Sequence, residues 1–150
     1  MAQVLTCLFI TLSLLIGPVA QTSQIPTDLY AAHYSPGLME QVARNRNMEP
    51  VECMVSSPWY GLNVWIRVES KRNGEVAFCR TTDVSAPADK ARHKRERLIE
   101  LDWPSAKRLC AIKRVAQRSP RACPVHIEVV SEEAALAARI GGSTPAPPTP

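Results

Sequence analysis

Apolar and polar residues alternate from Asn63 to Val68, so Val64, Ile66 and Val68 share one face of a predicted strand and Asn63, Trp65 and Arg67 the other. Glu75 to Arg80 reads as its antiparallel partner, with Asn73-Gly74 supplying the positive φ angles of a tight hairpin turn. Further on, Leu98 to Asp102 leads into a predicted helix over Trp103–Cys110. Asp102 is a good N-cap, Pro104 suits a first turn, and Ala106, Leu109 and Cys110 fall at helical spacing. Val125 to Val130 alternates again and is predicted as the closing strand. Upstream, Ser35-Pro36-Gly37 marks a turn before a short amphipathic helix within 38–48, on which Leu38, Met39 and Val42 are the apolar positions. Met48 to Val55 is predicted as a strand carrying Cys53. Glu132 to Ile140 is Ala-rich and reads as a short exposed helix. Gly141 to Pro150 is a Gly, Ser, Pro and Thr tail that cannot bury enough apolar surface to order itself. No internal repeat is visible in the sequence.

The N-terminal run from Val4 to Ile16 is apolar and uncharged, and Gly17-Pro18-Val19-Ala20 ends it with small residues. It is short for a bilayer span and reads as a signal peptide over 1–20, with a retained anchor as the competing reading. Its removal leaves about 130 residues, enough for one domain with a real core. The expected division is a leader over 21–29, a domain over 30–131, and an Ala-rich segment with a disordered tail over 132–150.

Cysteine usage agrees with export. Of the five cysteines, Cys7 falls in the signal, leaving Cys53, Cys79, Cys110 and Cys123. Three pairings are possible. Cys53–Cys79 with Cys110–Cys123 is favoured, because the second bridge would tie the helix end to the next strand across a short loop. A metal site is the rival reading, but no Cys-x-x-Cys occurs and no His stands at ligand spacing, so neither metal nor cofactor is expected.

The formal charge is +4, unevenly placed. Lys90, Arg92, Lys94, Arg95 and Arg97 crowd a predicted loop against only Asp89 and Glu96. Lys107, Arg108, Lys113, Arg114, Arg118 and Arg121 lie in a stretch from Trp103 to His126 without one acidic residue. Such an excess attracts an anionic partner, such as peptidoglycan with its teichoic acids, lipid headgroups or nucleic acid, or it is simply a solvated surface. Nucleic acid is not an expected partner of an exported chain without a nucleic-acid motif, and no stable membrane span is expected once the signal is cleaved.

The ordered set of motifs resembles the rare lipoprotein A (RlpA) family of double-psi β-barrels, relatives of barwin and the expansins. Pro58-Trp59-Tyr60-Gly61 stands before the first alternating strand, Asn73-Gly74-Glu75 at the turn, and Asp83 after the second strand. Arg97-Leu98-Ile99-Glu100-Leu101-Asp102 stands where the family reads R-x-I-D-L-S, followed by Ser105-Ala106-Lys107-Arg108-Leu109. Ala32-His33-Tyr34-Ser35-Pro36-Gly37 is similar to the aromatic-plus-glycine opening of the barrel. The resemblance covers roughly residues 30 to 130. It implies a mainly β fold, a small six-stranded double-psi β-barrel with one or two short helices. It also implies a groove for glycan strands.

Cleaving a glycosidic bond needs a protonated acid beside the leaving oxygen. The resemblance places Glu100 at the candidate acid, where the family carries Asp, and Asp83 at its other acidic position. The extra methylene of Glu moves the carboxyl by more than about 1 Å, a displacement large enough to matter in catalysis. The family's His in A-H-x-T-L-P has no counterpart in Cys53-Met54-Val55-Ser56-Ser57-Pro58. Trp59, Tyr60 and Trp65 are candidates to stack on sugar rings, and Arg92, Lys94 and Arg95 to hold an anionic wall polymer. The expectation is a secreted or periplasmic module that binds, and in one reading cleaves, peptidoglycan glycan strands in the manner of a lytic transglycosylase, with the departures at the acid and His positions favouring binding over cleavage. The alternative is a barwin-like secreted protein-interaction module without polysaccharide activity.

Overall fold

The computed structural model describes residues 25–116 and 123–141. The expected signal peptide, the first residues of the leader, Arg118, Arg121 and the tail beyond 141 lie outside them. In chain order the elements are β1 (Asp28–His33), α1 (Leu38–Asn45), β2 (Met54–Ser57), β3 (Trp65–Ser70) and β4 (Val76–Val84). They continue with α2 (Pro87–Glu96), β5 (Leu98–Leu101), α3 (Trp103–Cys110), β6 (Pro124–Val130) and α4 (Glu132–Gly141). The six strands close into a barrel in the order β1-β5-β2-β4-β3-β6. β1 runs parallel to β5 and β2 parallel to β4, and the remaining neighbours are antiparallel.

Alternation explains the core. Inward positions of the strands supply Leu29, Ala31, Val55, Ile66, Val68, Ala77, Cys79, Ile99, Leu101, Val125 and Ile127, and α3 adds Ala106, Leu109 and Cys110 to the same cluster. Each large aliphatic side chain so buried contributes about 1.5–3 kcal/mol. Two disulfides bind this cluster, Cys53–Cys79 and Cys110–Cys123, which are the pairs favoured from the sequence. Asp102 caps α3 by accepting from Ser105 N at 2.9 Å, and its second oxygen accepts from Met54 N at 2.5 Å. One carboxylate therefore fastens the start of α3 to the start of β2. Burial pushes its pKa above the usual carboxylate range against the pull of those amides.

Exchanging β1, β2 and β3 for β4, β5 and β6 leaves the ring of neighbours and every strand direction unchanged. The fold is thus twofold in topology although the sequence shows no repeat. The connection β1–α1–β2 corresponds to β4–α2–β5.

Several elements differ from the sequence reading. The hairpin strand begins at Trp65, because Asn63 turns left-handed (φ 63°) just before it. The hairpin loop runs over the five residues 71–75, and of Asn73 and Gly74 only Gly74 has a positive φ, 74°. Gly74 N donates to Ser70 O at 2.9 Å, and Asn73 contributes its side chain, accepting from Glu75 N at 3.1 Å. Cys53 lies just ahead of β2 rather than within a 48–55 strand. α1 buries Met39 and Ala43 and leaves Leu38 exposed. The barrel's first strand starts at Asp28, inside the segment read as leader. Four helices are present among the described residues, not one or two.

The largest departure is the basic segment. It is the ten-residue helix α2, not a loop, and His93 is its buried residue. Pro87 fits the first turn, Ala, Lys, Arg and Glu are strong helix formers, and Asp89 and the basic last turn match the helix dipole. Arg97 then adopts the left-handed conformation (φ 57°) and turns the chain straight into β5.

Candidate active site

Across the outer face of β4, β2, β5 and β1, four register partners stand in a row. Ser56 pairs with Asp83 on β4 and with Glu100 on β5, and Glu100 pairs with Ala32 on β1. Register partners project to the same side of a sheet, so Asp83, Ser56 and Glu100 share one face, opposite the inward Val55 and Leu101. The two acidic residues are separated by one strand, about 10 Å between backbones. α2 and the end of α1 wall this face into a cleft of about 390 Å³, lined chiefly by Tyr34, Arg46, Asp83, Ser85, His93 and Glu100. That volume lies within the range of small-ligand sites.

Asp83 is fully engaged. Tyr34 Oη donates to Oδ2 at 2.7 Å and Arg46 Nη2 to Oδ1 at 2.5 Å. Burial first, and then this hydrogen bond, push the Tyr34 phenol well above its ordinary value, with Ser56 pulling the other way. Tyr34 is therefore a permanent donor at working pH.

Glu100 is placed differently. Its side chain retains 26 % exposure and its nearest cationic candidate is His93, with Nδ1 3.9 Å from Oε2. Burial pushes its carboxyl above the usual range. His93 and Arg92 act against burial, and Asp89 and Asp83 act with it. A carboxyl held protonated to higher pH, beside an open cleft, can serve as a proton donor. Behind it, Ser85 Oγ and His93 Nδ1 are 2.9 Å apart, and Arg92 Nη2 stands 3.2 Å from His93 Nε2.

The structure thus brings Asp83 and Glu100 to one cleft and leaves the expected aromatics outside it. Tyr60 is part of the buried core, where burial also raises its phenol, and Trp59 packs against that core. Trp65 is buried on the outer side of β3 under the Arg80 guanidinium, 5.9 Å from the ring centroid. Tyr60 is taken up by the core and Trp65 is covered by Arg80, so neither ring is open to the cleft. Arg92 lies beside the cleft in an ion pair with Asp89 at 2.9 Å, and Lys94 and Arg95 are exposed on α2.

Tyr34, Arg46, Ser85 and His93 were missed from the sequence. Their signal was faint but present. Reading Ala86-Pro87-Ala88-Asp89 as a helix start would have put His93 on a helix, one turn beyond Asp89. Among the described residues no group of three His, Cys, Asp or Glu side chains is arranged to hold a metal ion, and no helix is long and apolar enough to cross a membrane. Comparison with known proteins finds no family model and no curated protein that matches this sequence.

Proposed function

We propose that the chain is an exported RlpA-like double-psi β-barrel protein that binds peptidoglycan glycan strands in the cleft between α1 and α2 and cleaves them with Glu100 as general acid. The observation that carries this reading is Glu100 itself: partly shielded, raised in pKa by burial, open to the cleft and free of a tight ion pair. The closed six-stranded ring with two parallel pairs is compatible with a double-psi barrel. The two disulfides support a secreted or periplasmic location.

In this reaction the Glu100 proton passes to the leaving glycosidic oxygen as the C–O bond breaks. A hydroxyl of the same sugar closes on the electron-poor ring carbon, and its proton returns to the Glu100 carboxylate. Asp83, held in place by Tyr34 and Arg46, lines the same cleft and would face the sugar ring from the opposite side of Ser56. Lys94, Arg95 and Arg92 on α2 supply attraction to an anionic wall polymer alongside the cleft.

The alternative, a barwin-like interaction module without polysaccharide activity, is favoured by one observation: Trp59, Tyr60 and Trp65, the aromatics expected to stack on sugar faces, do not line the cleft, and the Tyr34 that does is bound to Asp83. Digestion of purified glycan strands separates the two. The mature wild type should release fragments, and Glu100→Gln should lower turnover by roughly two or more orders of magnitude while retaining strand binding. Absence of product from folded, disulfide-bonded wild type would reject the catalytic reading.

A further inference from the structure

His93 is 4 % exposed and Ser85 is 8 % exposed, an unusual depth for two polar side chains beside a cleft. Neither has a part in the proton transfer described above. Their surroundings fix where the imidazole proton sits. The Arg92 guanidinium, 3.2 Å from Nε2, can only donate, so Nε2 is the acceptor and the proton of the neutral ring is on Nδ1. Nδ1–H then donates to Ser85 Oγ at 2.9 Å. The same Nδ1 is 3.9 Å from Glu100 Oε2, too far for a hydrogen bond but within reach of a small ring rotation. The charged and titratable groups around this pair are Arg92 and Asp89 from α2, Glu100 from β5, Asp83 from β4, and Tyr34 and Arg46 across the cleft.

We propose that His93 is a positioning residue for Glu100, its Nδ1–H resting on Ser85 Oγ while Glu100 is protonated and swinging to the Glu100 carboxylate once that group has released its proton. The proposal rests on the reading of Glu100 as general acid. No covalent bond changes at His93. The proton that leaves Glu100 goes to the glycosidic oxygen, and only the acceptor of the Nδ1–H changes. A donor that reaches the carboxylate only after ionisation stabilises the charged state over the neutral one. It therefore acts late in proton transfer, where stabilisation accelerates the step. Ser85 is the resting acceptor that keeps the donor aimed and satisfied in the meantime.

The test is a carbon-13 NMR titration of the Glu100 carboxyl in the full disulfide-bonded chain, comparing wild type, Ser85→Ala, His93→Leu and His93→Asn. Removing the competing acceptor in Ser85→Ala frees Nδ1–H for Glu100, so the Glu100 midpoint falls. Removing the donor in His93→Leu raises it. Each change should be about 0.5–1 pH unit, a roughly three- to tenfold change in proton affinity. His93→Asn places an amide N–H near the position of Nδ1–H and should return the midpoint toward wild type. The acid limb of the pH profile for glycan cleavage should move in the same directions. Shifts of one sign in both Ser85→Ala and His93→Leu, or no shift in either, overturn the proposal. If wild type makes no glycan fragments, the general-acid reading falls by itself, and opposite-signed NMR shifts still establish the exchange of hydrogen-bond partners. Should His93→Leu fail to fold, Ser85→Ala decides the matter through the sign of its shift.

Discussion

The two halves of the barrel, β1–α1–β2–β3 and β4–α2–β5 with β6, occupy equivalent places in the ring but carry different chemistry. Because Ser56 pairs with Asp83 as Glu100 pairs with Ala32, Asp83 corresponds to Ala32 and Glu100 to Ser56. One half presents two carboxylates to the outer face where the other presents a methyl and a hydroxyl. The connecting helices differ in the same way. α1 buries Met39 and Ala43 in an apolar cluster with Met54, whereas α2 buries a histidine. The α1 half therefore contributes scaffold, together with Tyr34 and Arg46 to hold Asp83, and the α2 half contributes the two carboxylates and the buried histidine. A symmetric backbone places the groups of both halves around one cleft, and asymmetric side chains give that cleft a direction.

Making the second half copy the first is the strongest way to break this contrast. Glu100→Ser, which imitates Ser56, should reduce glycan cleavage at least about a hundredfold in a fragment-release assay. Folding should be retained, since the outer-face hydroxyl is already tolerated at the equivalent position.

The disulfides distinguish the halves next. Cys53–Cys79 joins one half to the other with a sequence separation of 26, and Cys110–Cys123 lies within the second half with a separation of 13. Chain-entropy reasoning gives about 3.5 kcal/mol for the longer loop and about 3 kcal/mol for the shorter. Urea denaturation of the paired Cys→Ala variants should show the larger loss for Cys53/Cys79. Equal or inverted losses would indicate that the halves do not depend on the bridge between them.

Asp83→Ala, imitating Ala32, strands Tyr34 and frees Arg46. The expected destabilisation is about 1–2 kcal/mol, kept modest because the Arg46 side chain is 36 % exposed. The Tyr34 phenol, relieved of its acceptor, should titrate at lower pH than in wild type, as ultraviolet absorbance would report.

The smallest expected effect is one of pH. Burial raises the folded-state pKa of Glu100 above its unfolded value, so its contribution to stability is fully present below the unfolded pKa and is lost as pH rises through the folded pKa. Glu100→Gln lacks this titration. Its stability relative to wild type should rise with pH across the window from the ordinary glutamate range up to the raised value and level off above it. Denaturation midpoints across that window measure the effect, and a constant difference would mean that Glu100 is solvated like an ordinary surface acid.

The sequence by itself determined the elements whose signal is local. The alternation around Ile66 and Val68, the Asp102 cap with Pro104 behind it, the Val125–Ile127 strand and the even set of four cysteines from Cys53 to Cys123 each follow from spacing and side-chain chemistry in the sequence. Asp83 and Glu100 were singled out only through the resemblance to the RlpA family's acidic positions. What surrounds them was not legible. Ser56, Asp83 and Glu100 become neighbours only because closing the ring inserts β2 between β4 and β5, a pairing of segments far apart in sequence. The basic run misled because charge gives no hydrophobic period: the Pro87 and Asp89 start signal could place a helix there, but nothing local revealed that His93 turns inward. The aromatics looked available because composition carries no information about cover, and burial of Tyr60 and Trp65 is settled by strands contributed from elsewhere in the chain. Local propensity chose the pieces. Closure of the barrel decided which side chains share a cleft, because burial and proximity are properties of the whole ring.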